Sequence, residues 1–408
     1  MRVNKDILIK FAGIIISLLI LGVIFFIRAE QNLEDTIARN YSSNFFTFWG
    51  AGRLVIIGES PYDSTQYLEN HDRYDIDWRP NRIFPYPLPL ALLLAPLGLL
   101  PLPIAFLTVQ FITQIVIAIV VYILLGHWET DAHKRLFVPF VILLLFFGPV
   151  FLSMKAGTIS ALALFFLFAS ILLIEKDQPF AAGVVLALTI LKPPQGLTIL
   201  LLAGVWLLAR RNWRAIFGIA AGGVAVLIIG MLQDPFWVVK FRGASQAVLD
   251  RTQGIHGNVW TLGYFMCNGV SPCSLLVGAS SSLLLLSMGG YDLWKNQAQL
   301  SAWEAFNFII PIGFVSTVYL WSYDQMPFII PVVWIVGTLV QSTKSYIYAF
   351  LFLIVLDLFS FYALTQLAAI DKDLWGFGTT IIVLGMVIGL RAWEKRKKLV
   401  PQAVDRTL

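Results

Sequence analysis

Apolar runs of about twenty residues recur along almost the whole chain, each long enough to cross the hydrocarbon of a bilayer as an α-helix. In lipid the backbone has no water to bond to, so a chain of this kind must satisfy its amides within helices. The runs fall near residues 6–28, 103–126, 136–153, 158–174, 179–191, 196–209, 215–233, 272–290, 301–320, 325–341, 346–368 and 375–393. They predict an all-α fold, a polytopic transmembrane bundle of about 12 helices. Hydrophobic residues make up 58% of the 408 and charged ones only 13%. A mean hydropathy of +0.78 leaves far more apolar surface than a soluble domain hides. The first run, 7–27, follows Arg2 and Lys5 and carries no small-residue cleavage pattern, so it reads as a retained helix rather than a signal peptide.

Two segments break the pattern. The runs on either side of Leu191-Lys192-Pro193-Pro194 are too short to span separately, which suggests a broken hairpin bending within the membrane. Phe84 to Pro101 carries Pro85, Pro87, Pro89, Pro96 and Pro101, a density that argues against a plain helix.

Charge then orients the chain. Lys134, Arg135, Lys176, Arg210, Arg211, Arg214, Lys295, Lys344 and the cluster Arg391, Lys395, Arg396, Lys397 and Lys398 all fall on one face, the cytoplasmic one, if the proline-rich segment dips in and returns or otherwise crosses evenly. The net charge of +5 is thus a membrane anchor, with no soluble domain behind it for nucleic acid. Segment 29–83, the Lys192 bend, loop 234–271 and the turn 321–325 then share the outer face. The expected organisation is one membrane domain over 1–393, with 29–83 as a first outer loop carrying short interfacial helices, and a basic tail at 394–408. Such a chain is a multi-pass plasma-membrane protein with both termini cytoplasmic, in contact with membrane lipids. Cys267 and Cys273, six residues apart in a turn-rich loop, would pair in an oxidising compartment and stay as thiols in a reducing one.

The polar stretches are where chemistry can meet water-soluble groups. The first outer loop holds Asn44-Phe45-Phe46-Thr47-Phe48-Trp49 and Gly58-Glu59-Ser60-Pro61-Tyr62-Asp63, then a run of Asp, Tyr, Trp and Arg to Arg82. Aromatic rings beside carboxylates suit a sugar, whose ring faces stack on Trp49 or Tyr62 while acids accept its hydroxyl protons. Arg79 and Arg82 are placed to meet a lipid phosphate at the interface. An interfacial aromatic belt is the plainer alternative for any one of these residues. Asp72, Asp75 and Asp77 lack the glycine turn and distal glutamate of a calcium loop, so no metal site is expected.

Lys192 is the costliest residue to bury, at roughly 2.5 to 3.5 kcal/mol near the bilayer centre, and its natural partner is an anion such as the phosphate of a lipid-linked substrate. Snorkelling to the interface is the plainer alternative. Asp324 sits between apolar runs in Trp321-Ser322-Tyr323-Asp324-Gln325, with Tyr323 beside it for stacking. It can orient a hydroxyl or act as a base, or simply start a helix. Asp234, Asp250, Arg251, His256 and Asn258 share an outer loop without a spacing that carries a mechanism, and His256 reads as solvated. No nucleotide-binding glycine loop, nucleophile elbow or zinc signature is present.

Asn44 to Asp63, Phe84-Pro85-Tyr86-Pro87-Leu88-Pro89 with Ala95-Pro96-Leu97-Gly98, Gly157-Thr158, Ala182-Gly183, Lys192-Pro193, Arg210-Arg211-Asn212-Trp213-Arg214 and Trp321 to Asp324 together resemble glycosyltransferase family 87 over roughly residues 40–340. That family belongs to the GT-C class and includes mannosyltransferases of phosphatidylinositol mannosides. The resemblance implies inverting transfer of a hexose, mannose among the candidates, from a polyprenyl-phosphate donor to a lipid or glycan hydroxyl on the non-cytoplasmic face. It implies no cofactor and no nucleotide. An aspartate after the first transmembrane helix would deprotonate the acceptor, but this chain has Asn44 there, and an amide cannot take that proton. Either Asn44 orients the acceptor while Asp324, Asp63 or Asp35 is the base, or this member is catalytically silent. The expected site is therefore Asp324, Asp63 and Asn44 for chemistry, with Lys192, Arg79, Arg82, Trp49, Tyr62 and Tyr323 holding substrate. A lipid-linked-sugar flippase is the rival built from the same broken helices, though no inverted repeat is visible.

Overall fold

The computed structural model describes residues 43–74, 83–127, 132–370 and 372–404, and among these every regular element is a helix. The first expected span, Asp35, Arg79 and Arg82 lie outside the described residues.

A short-helix layer comes first. Helix α1 (Ser43–Ile56) carries the Asn44 motif, α2 (Ser64–Arg73) lies across it, and α3 (Leu88–Gly98) packs along it. The proline-rich segment is thus helical at its centre, against expectation. Pro89 sits in the first turn, where a missing N–H costs nothing, and Pro85, Pro87 and Pro101 fall outside the helix, so only Pro96 interrupts it. α1 and α3 touch backbone to backbone: a Cβ on Gly52 would stand 2.8 Å from the Leu94 carbonyl, and one on Gly98 2.6 Å from the Arg53 nitrogen.

The bundle follows. α4 (Leu102–Leu125) is a full span. The run expected as one crossing at 136–153 is two helices, α5 (Ala132–Phe146) and α6 (Gly148–Ala156), bent by 63° between Phe137–Phe146 and Gly148–Ala156. Pro149 lies in the first turn of α6, and its missing N–H and ring prevent the ladder of α5 from continuing through it. α7 (Ser160–Glu175) and α8 (Pro179–Ala187) lead into a 3-10 turn at Leu188–Leu191, and the chain breaks at Lys192 before α9 (Pro193–Ala209). Pro193 and Pro194 fix that break where the sequence expects it.

α10 (Trp213–Gln233) returns against α8. α11 (Trp237–Arg251) and α12 (Val259–Met266) form the loop region before α13 (Ser271–Lys295) and α14 (Ala302–Ser316). A 3-10 segment at Ser322–Phe328 opens α15 (Ile329–Thr343); α16 (Ile347–Ile370) and α17 (Gly376–Val404) close the bundle. α17 runs on through the boundary expected at 393. Among the described residues, six helices are long and apolar enough to cross a membrane, seven if the bent pair counts as one. The 322–343 helix is 83% buried where the other five are 28–44% buried, so it forms the centre of the bundle. α14 and α15 supply a large share of the main core, including Phe306, Ile309, Ile330 and Val333.

Candidate active site

The centre of the site is the break at Lys192. Its ammonium pairs with Asp324 Oδ1 and donates to Ser160 Oγ at 2.8 Å, with the three residues carried by the α8–α9 break, the 3-10 segment before α15 and the start of α7. Both charged side chains are buried, at 9% and 1% exposure, low enough that neither can rely on water for compensation. The lysine therefore has an anionic partner within the protein, in place of the snorkelling the sequence left open. Asp324 Oδ2 accepts the Trp321 amide at 3.1 Å, which fixes the carboxylate at the mouth of its 3-10 turn. Tyr323 lies 5.8 Å from the ammonium and stacks on Trp321.

A chain of hydroxyls extends from this pair. Ser160 Oγ is 3.0 Å from Thr158 Oγ1, which is 2.6 Å from Ser153 Oγ. Gly157 makes the chain's turn at φ 61, where a side chain would also meet the Phe106 ring at 2.5 Å and Phe45 Cβ at 2.6 Å. Phe45 adjoins Asn44, so the first motif packs against the far end of the hydroxyl chain; Asn44 itself is half-buried.

The other expected residues spread out. Tyr62 donates to the Tyr86 carbonyl at 2.6 Å and so supports a residue of the cavity wall rather than lining it. Trp49 is buried among Phe46 and Tyr74 and donates to the Leu100 carbonyl at 3.1 Å. Asp63 is exposed and caps α2, accepting Thr65 and Gln66 amides at 2.9 and 3.0 Å.

A cavity of about 240 Å³ adjoins Lys192, walled by Tyr86, Pro193, Gln195, Phe241, Leu249 and Tyr319. Apart from Lys192, Gln195, Ser245 and the two tyrosines its lining is apolar. A second cavity of about 200 Å³ shares Leu249 and Val318 with it and is bounded by Asp250, Gln253, His256, Trp260 and Tyr264. Tyr62 through Tyr86, the Lys192 bend, the 234–271 segment and the turn carrying Tyr319 and Asp324 thus meet around this site.

Two further residues complete the surroundings, His256, which the sequence reads as solvated, and Asp373, which it does not single out. His256 is buried rather than solvated: its ring lies 4.4 Å from Tyr319 and 5.2 Å from Trp321, and burial pushes its pKa down to about 4 although the Leu320 carbonyl works the other way. Asp373, between α16 and α17, accepts the Ser322 amide and takes the Ser322 hydroxyl at 2.6 Å, while its own amide donates to Ile255 at 2.8 Å. Burial raises its pKa to about 7, opposed by the two Ser322 bonds and assisted by the charge of Asp324. The signal in the sequence was an acid in a short connector between two spans, which looks like any loop aspartate until Ser322 is placed beside it.

Cys267 and Cys273 form a disulfide across the α12–α13 hairpin, closing the alternative of free thiols. Among the described residues, no group of three or more His, Cys, Asp or Glu side chains is arranged to hold a metal ion.

A membrane-embedded helical bundle with a buried ion pair beside paired cavities is the class of protein that these elements define. Residues 84–316 match the family model for glycosyltransferase family 87, more than half of the chain, and the chain belongs to that family. No curated protein and no solved structure gives a significant match.

Proposed function

We propose that this glycosyltransferase moves a hexose from a polyprenyl-phosphate donor to a lipid or glycan hydroxyl, with inversion, on the non-cytoplasmic face. The observation that carries the reading is Lys192: its ammonium has three N–H groups, two are used by Asp324 and Ser160, and the residue lines an apolar cavity. The remaining N–H is available to a phosphate oxygen, and the apolar walls suit an isoprenoid chain. As the sugar–phosphate bond breaks, charge grows on the departing phosphate, and a fixed ammonium stabilises that charge more than the ground state.

Asp324 has two roles in this reading. It holds Lys192 in place, and its carboxylate orients the acceptor hydroxyl and takes its proton as the oxygen attacks the anomeric carbon opposite the phosphate. Asn44 keeps a hydrogen-bonding group at the family's acidic position without the capacity to accept the proton. The disulfide at Cys267–Cys273 supports the non-cytoplasmic assignment, since such bonds persist in oxidising compartments. The departure at Asn44 favours one second reading, a silent member that binds without transferring.

The test is transfer by the purified protein in lipid, from a panel of polyprenyl-phosphate hexoses to a lipid extract, with Asp324→Ala and Asn44→Asp alongside. Product from the wild type that vanishes in Asp324→Ala supports the transferase. A wild type that binds donor without product, together with activity gained in Asn44→Asp, supports the silent member instead.

A further inference from the structure

We propose that Asp373 is a positioning residue for the transfer: its buried carboxylate clamps the turn that carries Asp324, and its negative charge acts on that acid. The inference deepens the transferase reading and rests on it for the role of Asp324; the clamp stands on geometry of its own.

Three segments meet at Asp373, which lies in the connector between α16 and α17 at 1% exposure. Both carboxylate oxygens are taken by one residue: Oδ2 accepts the Ser322 amide and Oδ1 the Ser322 hydroxyl at 2.6 Å. On the other side the Asp373 amide donates to the Ile255 carbonyl at 2.8 Å, next to His256. A second tie closes the same turn, where Gln325 Nε2 donates to the Gly376 carbonyl at 2.8 Å and to Thr380 Oγ1 at 3.2 Å. Asp324 sits between the two ties and takes part in neither, while its own oxygens hold Lys192 and the Trp321 amide.

The clamp has no slack. A Cβ on Gly376 would stand 2.5 Å from Ser322 Oγ, and one on Gly257 2.4 Å from the Phe377 nitrogen and 2.9 Å from the Asp373 carbonyl oxygen. An apolar residue in place of Asp373 would leave the Ser322 amide buried without an acceptor. Yet packing or a neutral amide can anchor a connector without the cost of burying an ionisable acid. What the acid adds is its charge.

Among the described residues, the charged and titratable groups around Asp373 are few. Asp324 and Tyr323 lie on the 3-10 segment, His256 on the 252–257 turn and Tyr264 on α12, and Lys372 turns its ammonium to the Phe265 ring, 5.8 Å from the centroid. Residues Gly376 to Thr380 of α17 carry none. Burial, against the two Ser322 bonds, raises the Asp373 pKa to about 7, so its charge appears as pH rises through neutrality. The Lys192 ammonium makes Asp324 a weaker base, and a second carboxylate on the far side of Ser322 makes it a stronger one. Turnover, which needs Asp324 to take a proton, therefore rises as Asp373 ionises, with donor binding at Lys192 unchanged.

The experiment uses the full-length protein in lipid nanodiscs and follows kcat and donor KM for transfer from about pH 6 to about pH 8.5. In the wild type kcat is expected to rise through an apparent pKa of about 7. Asp373→Asn, which mimics the protonated acid, is expected to lose that limb and to fall about tenfold below the wild type at the alkaline end, with donor KM unchanged. Ser322→Ala keeps the acid but removes one bond to its charged form, so its limb is expected at higher pH. A wild-type pH profile in Asp373→Asn, or a limb in Ser322→Ala that stays in place, would overturn the proposal. Infrared difference spectra of the same proteins read the clamp without turnover. Raising the pH through neutrality should remove a carboxyl C=O band that Asp373→Asn lacks, and with it shift a carboxylate stretch that Asp324→Asn lacks. That shift without transfer from any donor keeps the clamp and removes the transferase. Transfer without the shift keeps the transferase and removes the clamp.

Discussion

Replacing Lys192 by methionine would leave the Asp324 carboxylate buried with only the Trp321 amide to balance it. Breaking one side of a buried pair typically costs about 3–5 kcal/mol, whereas neutralising both sides is close to neutral. Lys192→Met is therefore expected to lower the melting temperature in detergent sharply, and Lys192→Met with Asp324→Asn to recover most of the loss, since the amide oxygen can still accept from Trp321. A double variant as unstable as the single one would mean that the pair is not the main partner of either charge. Both proteins should lack transfer activity, so stability and function part company in the double variant. Asp373 gives a second residue-level expectation. Its pKa is raised to about 7 in the fold against about 3.9 unfolded, so the unfolded chain has already lost its proton when the folded one gives it up. Stability falls as pH rises through 7, by roughly 1 kcal/mol between about pH 6.5 and about pH 8. His256, pushed down to about 4 against about 6.5 unfolded, acts in the opposite direction and offsets about 0.4 kcal/mol of this change at the acidic end of the window. Melting curves across it should fall more steeply with pH for the wild type than for Asp373→Asn; equal slopes would assign the dependence to another group. The sequence made Lys192 conspicuous because a lone lysine in lipid is expensive, and Asp324 because an acid interrupts two apolar runs. That the two charges meet, 132 residues apart, depends on how α7, α9 and α15 pack, and no local pattern encodes that.

Among the elements, the closest approach is between α8 and α10. A Cβ on Gly183 would lie 2.1 Å from the Ala215 carbonyl oxygen, one on Gly218 2.1 Å from the Phe180 carbonyl oxygen, and one on Gly222 2.8 Å from the Ala187 methyl. Gly218 and Gly222 form the small-residue ridge, four apart, that lets two helices in lipid bring their backbones together, where dispersion rather than hydrophobic burial drives association. Gly223 follows immediately and faces open space, with nothing within 4 Å of where a methyl group would stand. Gly218→Val is thus expected to force the helices apart at a cost of about 3 kcal/mol or more, read as loss of monodisperse protein on extraction, while Gly223→Ala is expected to match the wild type. Equal yields for the two would show that the α8–α10 contact does not limit folding. This contact also positions the site, because α8 ends in the turn that presents Lys192. Most helix bounds were legible from apolar length and from proline: α4, α7, α10 and α13 to α16, and the start of α17, lie close to their expected runs. The misreadings were at prolines as well, since a proline density excludes a helix only when the residues fall inside it. Pro89 and Pro149 fall in first turns, so the former permits α3 and the latter starts α6 at a bend.

At the scale of the whole molecule, the question is which face the site opens on, and the disulfide makes it answerable. Cys267 and Cys273 sit behind the second cavity, and the segments that meet at Lys192 lie at that same end of the bundle through the contacts of His256 with Tyr319 and Trp321 and of Asp373 with Ile255 and Ser322. The Arg391 guanidinium, by contrast, pairs with Asp292 near the far end of α13 at 3.1 Å and lies over Phe308, and the basic run follows it in the sequence. If the disulfide forms in an oxidising compartment, the charge rule places the basic tail on the opposite, cytoplasmic face. Intact cells treated with a membrane-impermeant reductant and then an impermeant maleimide should label Cys267 and Cys273, and the maleimide alone should not. In a Cys267→Ser, Cys273→Ser background, a cysteine introduced by Gln402→Cys should stay unlabelled until the membrane is opened. Labelling of Gln402→Cys from outside, with the native pair protected, would turn the bundle over. A polyprenyl-phosphate donor on the non-cytoplasmic face would then be unreachable from this site, and the proposed donor would fall with the orientation.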